Sequence, residues 1–77
     1  MSPHFPVVKA NVCLKALEKA GFYVAHKRGS HARLINLQNP NLRVTIPIHN
    51  KDLPQGTLRS ILRQAGLNIE EFRKLLE

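Results

Sequence analysis

The sequence predicts an α+β domain with the element order α-β-β-β-α and a short C-terminal helix. Apolar residues recur at helical spacing at both ends of the 77-residue chain, whereas the middle alternates apolar and polar residues rich in β-branched types. Consecutive strands joined by short turns pair as antiparallel neighbours, so we expect a three-stranded antiparallel sheet with the two main helices packed on one face. A chain of this length builds one core, so residues 1–77 are expected to form a single domain.

The first helix is predicted over residues 8–20. Its apolar positions lie three and four residues apart, and Gly21 supplies a stop signal. The residues expected to face the core are Ala10, Cys13, Leu14, Leu17 and Ala20. Cys13 is the only cysteine of the chain and cannot form an internal disulfide, so we expect a buried, unreactive thiol.

The next two segments predict a β-hairpin around Gly29 and Ser30. A connection of three residues, 28–30, pairs Lys27 with His31. In this register one face carries Phe22, Val24, Ala32 and Leu34, and the other carries Tyr23, Lys27, His31 and Arg33. A two-residue turn is disfavoured, because it would place Val24 and Arg33 on the same face and so mix core with charge.

A third strand is predicted over residues 42–48, after a turn at residues 38–41. Apolar and polar residues alternate strictly here, which places Val44 and Ile46 inward and Arg43 and Thr45 on the opposite side. Pro47 lacks a backbone donor, so the strand is expected to lie at the edge of the sheet or to end there.

Two helices complete the chain. Asp52 and Gln55 resemble a capping box, so a helix is expected to follow and to end at Gly66. Its inward residues are predicted to be Leu58, Ile61, Leu62 and Ala65, and Arg59 and Arg63 form an exposed basic stripe. Asn68 and Glu71 resemble a second cap, which opens a short helix with Ile69, Phe72, Leu75 and Leu76 on its apolar side.

The chain carries a formal net charge of +7, and the distribution of this charge is uneven. The segment from Lys19 to Lys51 contains no acidic residue, so its surface attracts polyanions, and nucleic acid is the leading partner. An acidic protein partner fits the same charge, and a basic surface that only confers solubility is a further alternative. No apolar run is long enough to span a membrane and no signal peptide is visible, so a cytoplasmic location is expected.

The strongest candidate for a functional residue is His31, which follows Gly29 and Ser30 among the cations Lys27, Arg28 and Arg33. Histidine titrates at about 6.5, so its imidazole exchanges protons near neutral pH, while neighbouring cations suit a phosphate. RNA offers a cleavage route in which its own 2′-hydroxyl attacks the phosphate, with histidine as general acid or base. The same residues also suit RNA binding without catalysis, so both interpretations stay open at this point.

Metal-dependent cleavage is not expected, because it requires clustered carboxylates. The five acidic residues are scattered over the predicted helices and their flanks: Glu18, Asp52, Glu70, Glu71 and Glu77. Nor is any cofactor expected.

Three further histidines compete for a role. His4 lies in the N-terminal lead-in, and His26 falls on the inward side of the predicted register, where a structural histidine is expected. His49 either faces the site or makes a loop hydrogen bond. The second proton-transfer group is therefore unassigned, with His49 and water as the candidates.

Four blocks of the sequence together resemble one family. These are residues 17–22, the Arg28-Gly29-Ser30-His31 block, residues 44–49 and residues 56–67. In this order and spacing they are similar to the HicA (YcfA-like) toxin family. The resemblance implies a fold like a double-stranded-RNA-binding domain, metal-independent cleavage of messenger RNA, and inhibition by a HicB antitoxin of a type II toxin–antitoxin system.

The resemblance also implies roles for single residues. It assigns catalysis to His31, and the basic hairpin then supplies the residues expected to bind RNA: Lys27, Arg28, Gly29, Ser30 and Arg33. The chain departs from many family members at Ala32, because they carry a second histidine or a bulky residue there. An mRNA interferase is thus the predicted function, with a non-catalytic RNA-binding module as the alternative.

Overall fold

The computed structural model describes residues 6–77, and its helices and strands follow the predicted order. They are α1 (Ala10–Lys19), β1 (Phe22–Arg28), β2 (His31–Asn36), β3 (Arg43–Pro47), α2 (Gln55–Ala65) and α3 (Ile69–Leu75). The strands form one antiparallel sheet in the order β1-β2-β3. This is the predicted α+β arrangement, similar to a double-stranded-RNA-binding domain. No helix among residues 6–77 is long and apolar enough to cross a bilayer.

The sheet has an inner face that packs against the helices and an outer face that is open to solvent. The inner face carries Phe22, Val24, Lys27, Ala32, Leu34, Asn36, Val44 and Ile46, and the outer face carries Tyr23, His26, Arg28, His31, Arg33, Ile35, Arg43, Thr45 and Pro47. All apolar residues of the inner face except the half-buried Val24 are fully buried, and each helix adds buried apolar residues to the same cluster. The inward positions predicted for the apolar residues of the three strands are confirmed.

The hairpin turn is shorter than the sequence predicts. Arg28 pairs with His31, so only Gly29 and Ser30 connect the two strands. The predicted three-residue connection, with Lys27 opposite His31, is therefore wrong.

A β-bulge in β1 reconciles the short turn with the apolar pattern. Val24 pairs with Leu34, but the next partners are His26 and Arg33, so Ala25 is an extra residue without a partner on β2. Residues that face each other across a ladder share one face of the sheet. The bulge therefore keeps Val24 with Leu34 on the inner face and turns His26 to the outer face beside Arg33.

This register corrects the predicted faces of two residues. Lys27 pairs with Ala32, so it lies on the inner face and not on the outer face with His31. It is still exposed, because it lies near the tip of the hairpin. His26, predicted to point inward, is exposed on the outer face.

The segment before α2 is extended, which removes the predicted capping role of Asp52. Asp52 pairs with Lys9 in an isolated bridge, and the Leu53 amide donates to the Val8 carbonyl over 2.8 Å. Leu53 is buried in the core. The helix consequently begins only at Gln55, without a side-chain cap.

The other helix ends follow the prediction. α1 begins at Ala10, two residues later than predicted, and ends at Lys19. Gly66 ends α2 in a left-handed conformation with φ of 71°. A capping box opens α3. The Asn68 side chain accepts from the Glu71 amide over 2.7 Å, and the Glu71 carboxylate accepts from the Asn68 amide over 2.9 Å.

Candidate functional site

The outer face of the sheet contains a shallow cleft of about 280 Å³. Its lining residues come from all three strands and are His26, Arg28, His31, Ala32, Arg33 and Thr45. Two imidazoles and two guanidinium groups thus share one small concavity, and no carboxylate of the described residues lines it.

The ladder pairing explains why these side chains converge. Arg28 lies opposite His31, and His26 lies opposite Arg33. Arg33 in turn lies opposite Thr45 on β3. Side chains that face each other across an antiparallel pair lie roughly 4.5–5.5 Å apart at Cβ, so the outer face gathers them into one patch.

His31 is the first residue of β2 and is exposed directly after the turn. The Ser30 hydroxyl lies 3.4 Å from His31 Nδ1, which is long for a hydrogen bond. The Ser30 carbonyl accepts from the Ile48 amide over 2.6 Å. This bond ties the turn to the end of β3 and fixes the backbone that presents His31.

Gly29 is required by the conformation of the turn. Its φ is 59°, and residues 6–77 contain no other residue type with positive φ, so Ser30 does not share this conformation. A positive φ at only the first of two turn residues is typical of a type II′ hairpin turn. A Cβ at Gly29 would meet no atom within 4 Å, so backbone geometry rather than lack of space favours glycine.

Helix α2 holds the strand that forms the far side of the cleft. Gln64 Oε1 accepts from the Thr45 amide over 3.1 Å, and Gln64 Nε2 donates to the Ser60 hydroxyl over 3.2 Å. β3 is an edge strand of the sheet β1-β2-β3, and Gln64 gives its Thr45 amide a hydrogen-bond acceptor. Sequence reasoning missed it, because no local pattern links residues so far apart.

The structure brings together only part of the predicted site. Arg28, His31 and Arg33 line the cleft, and Gly29 and Ser30 form the adjoining turn. Lys27 projects on the other side of β1.

The histidines divide clearly in the structure. His26 lines the cleft, contrary to the inward position predicted for it. His49 does not line the cleft, and its Nδ1 accepts from the Lys51 amide over 3.1 Å, which is the loop hydrogen bond that the sequence left as one of two options. His4 lies outside the described residues.

The acidic residues lie away from the cleft. Glu18 is on α1, Asp52 precedes α2, and Glu70 and Glu71 open α3. No group of three potential metal-ligating side chains occurs among residues 6–77. The cleft is therefore a basic surface that carries two imidazoles, and its chemistry suits a phosphate.

Cys13 takes no part in this surface. Its side chain is fully buried on α1, and burial raises the pKa of its thiol from 9.0 to about 12. A thiol held in its protonated form is a weak nucleophile, in agreement with the predicted unreactive cysteine.

The fold and the cleft define a small α+β domain, similar to a double-stranded-RNA-binding domain, with a histidine-bearing basic patch on the open face of its sheet. The family model described as HicA toxin of bacterial toxin–antitoxin matches residues 12–67. This match spans most of the chain, including the whole sheet and α2, so the chain belongs to the HicA toxin family and is a toxin of a toxin–antitoxin system. A search of curated proteins gave no match.

Proposed function

We propose that this toxin is a metal-independent endoribonuclease, an mRNA interferase that cleaves messenger RNA in the cytoplasm and so inhibits translation. His31 is its general acid or base, and a HicB-type antitoxin neutralises it. The observation that carries the proposal is the position of His31 in a cleft between Arg28 and Arg33, within a chain of the HicA toxin family.

The reaction uses a hydroxyl that RNA itself provides. A base removes the proton of the 2′-hydroxyl while its oxygen forms a bond to phosphorus. An acid gives a proton to the 5′-oxygen while the bond between that oxygen and phosphorus breaks. The products are a 2′,3′-cyclic phosphate and a 5′-hydroxyl, and neither step consumes water or requires a metal.

The residues around His31 have separate tasks in this proposal. Arg28 and Arg33 hold the phosphate and stabilise the negative charge that develops on its oxygens. Gly29 forms the tight turn that leaves room for the RNA backbone, and Ser30 orients the imidazole. Lys27 extends the cationic surface to the other side of the hairpin tip, where it contacts a neighbouring phosphate.

The placement of the acidic residues supports the metal-independent part of the proposal. A magnesium-dependent nuclease holds its ions with carboxylates beside the scissile phosphate. Here the cleft presents only cationic, imidazole and neutral groups, and the carboxylates lie on or beside the helices.

Two observations support the proposed antitoxin partner: the family to which the chain belongs and the positive charge of the chain. A toxin of a toxin–antitoxin system requires a partner that restrains it, and the basic outer face favours an acidic surface on that partner.

Cleavage of a defined RNA in the presence of a chelator tests the proposal. Wild-type protein should cleave the RNA, and a matched strand with a 2′-deoxy nucleotide at the cleaved position should stay intact. His31→Ala should slow cleavage by about 10²- to 10⁴-fold.

Two other results would contradict the proposal. Salt-sensitive binding of RNA without cleavage would indicate a non-catalytic RNA-binding module. Absence of any affinity for RNA would indicate a basic domain devoted to an acidic protein partner.

A further inference from the structure

We propose that His26 is the second proton-transfer residue of the cleft and works as a pair with His31. This inference rests on the proposed RNA cleavage, since it assigns the acid or base that His31 alone leaves unfilled. It depends on the position of His26, which the β-bulge determines.

The two histidines are diagonal neighbours on the outer face. His26 lies opposite Arg33, and His31 is two residues before Arg33 on β2. Diagonal neighbours in an antiparallel pair lie roughly 7–8 Å apart, which leaves room for a phosphate between the two rings. In-line cleavage places the attacking and leaving oxygens on opposite sides of phosphorus, so two separate imidazoles suit the reaction better than one.

The bulge gives His26 its position in the cleft. In a regular strand without the bulge, alternation would place His26 on the same inner face as Val24, behind the sheet. Bulges occur preferentially beside active sites, where they redirect a side chain. Here the redirected side chain is an imidazole, and it points into the same concavity as His31.

The ring of His26 is exposed on the outer face and lines the cleft. Among residues 6–77 it has no hydrogen-bond partner, whereas the Nδ1 atom of His49 is occupied by the Lys51 amide. On the outer face its nearest neighbours along β1 are Tyr23 and Arg28, and the charged or titratable groups on that face of the other strands are His31, Arg33 and Arg43. Among residues 6–77, no carboxylate lines the cleft that contains this ring.

In the proposed reaction one imidazole accepts the proton of the 2′-hydroxyl as the new oxygen–phosphorus bond forms. The other imidazole, in its protonated form, gives its proton to the 5′-oxygen as the old bond breaks. The pair ends with its protonation states exchanged, and the proton count balances. Such a pair gives a rate that rises and then falls with pH, because one ring must be neutral and the other protonated.

The test measures single-turnover cleavage of saturating RNA against pH for wild type, His26→Ala, His26→Arg and His49→Gln. His26→Ala should reduce the maximal rate by about 10²- to 10⁴-fold and should abolish one limb of the pH profile. His26→Arg keeps a cation but no proton that exchanges near neutral pH, so it should be as slow as His26→Ala. His49→Gln should keep the wild-type rate and both limbs.

Several results would overturn the assignment of His26. These are a wild-type rate and both limbs in His26→Ala, restoration of the rate by His26→Arg, which would indicate charge alone, or loss of a limb in His49→Gln. The far-ultraviolet circular dichroism of each variant should match wild type, because both histidines lie outside the core cluster. Absence of cleavage by wild-type protein would instead refute the proposed function, so the two failures are distinguishable.

Discussion

The inner and outer faces of the sheet use alternate residues of the same strands and have opposite chemistry. On β2, Ala32 and Leu34 are completely buried, whereas His31 and Arg33, which alternate with them, are exposed. The period of two along a strand allows one short segment to build both the core and the site. Stability and chemistry are therefore separable here, residue by residue.

In strand β1, alternation alone does not separate the inner-face residues from the outer-face residues. Val24 and His26 are two positions apart, so regular alternation would place both on the same face. The bulge at Ala25 instead leaves Val24 on the inner face and places His26 on the outer face. The two faces are thus distinct on β2 and β3 because of sequence alternation, and on β1 because of the bulge.

Truncation of the inner face should have the largest effect on stability. Leu34→Ala removes a completely buried side chain between Val24 and Val44, so we expect a loss of about 2–5 kcal/mol in the free energy of unfolding. Urea unfolding measures it. Leu37→Ala is the matched control, since that leucine is 73% exposed and should change stability by less than about 0.5 kcal/mol. Equal losses in the two variants would contradict the assignment of the faces.

A substitution in the turn that joins β1 and β2 should have the next largest effect on stability. Gly29→Ala forces an alanine to a φ of 59°, so we expect a loss of about 1–2 kcal/mol. Gly56→Ala is the control, because Gly56 lies in the first turn of α2 with open space around it and should gain up to about 1 kcal/mol. A Gly29→Ala protein as stable as wild type would show that the turn does not require a positive φ.

The buried side of the sheet also makes the stability of the fold depend on pH, through the thiol of Cys13. Among residues 6–77, Cys13 is the only titratable side chain in the buried cluster, and burial raises its folded pKa from 9.0 to about 12. The unfolded thiol loses its proton above pH 9.0 while the folded one keeps it, so stability falls as pH rises from there towards about 12.

The expected difference is measurable against a variant without the thiol. Between about pH 8 and about pH 10, wild type should lose about 1.4 kcal/mol more unfolding free energy than Cys13→Ala. Parallel pH dependences in the two proteins would show that the thiol is not shielded from solvent.

The sequence sufficed for most features that depend on local periodicity or local capping. It predicted the order of the elements, the inward residues Val44 and Ile46, the glycine that ends α2 and the capping box of α3. It also placed His31 among Arg28 and Arg33. These features follow from spacing along one segment, and spacing is visible in the chain itself.

The sequence did not reveal features that depend on pairing between segments. A three-residue turn and a two-residue turn with a bulge satisfy the same apolar pattern, so His26 was predicted on the wrong face. The capping box at Asp52 was equally plausible locally, but pairing of residues 51–53 with residues 8–10 keeps that segment extended. In both cases a tertiary contact chose between two locally acceptable conformations.

The central claim is that the outer face performs RNA cleavage without supporting the fold. The most direct measurement combines urea unfolding and chelator-resistant RNA cleavage on the same preparation of His31→Ala. We predict an unfolding free energy within about 0.5 kcal/mol of wild type, together with a cleavage rate lower by about 10²-fold or more. Wild-type cleavage by His31→Ala, or a loss of stability as large as that expected for Leu34→Ala, would contradict the account.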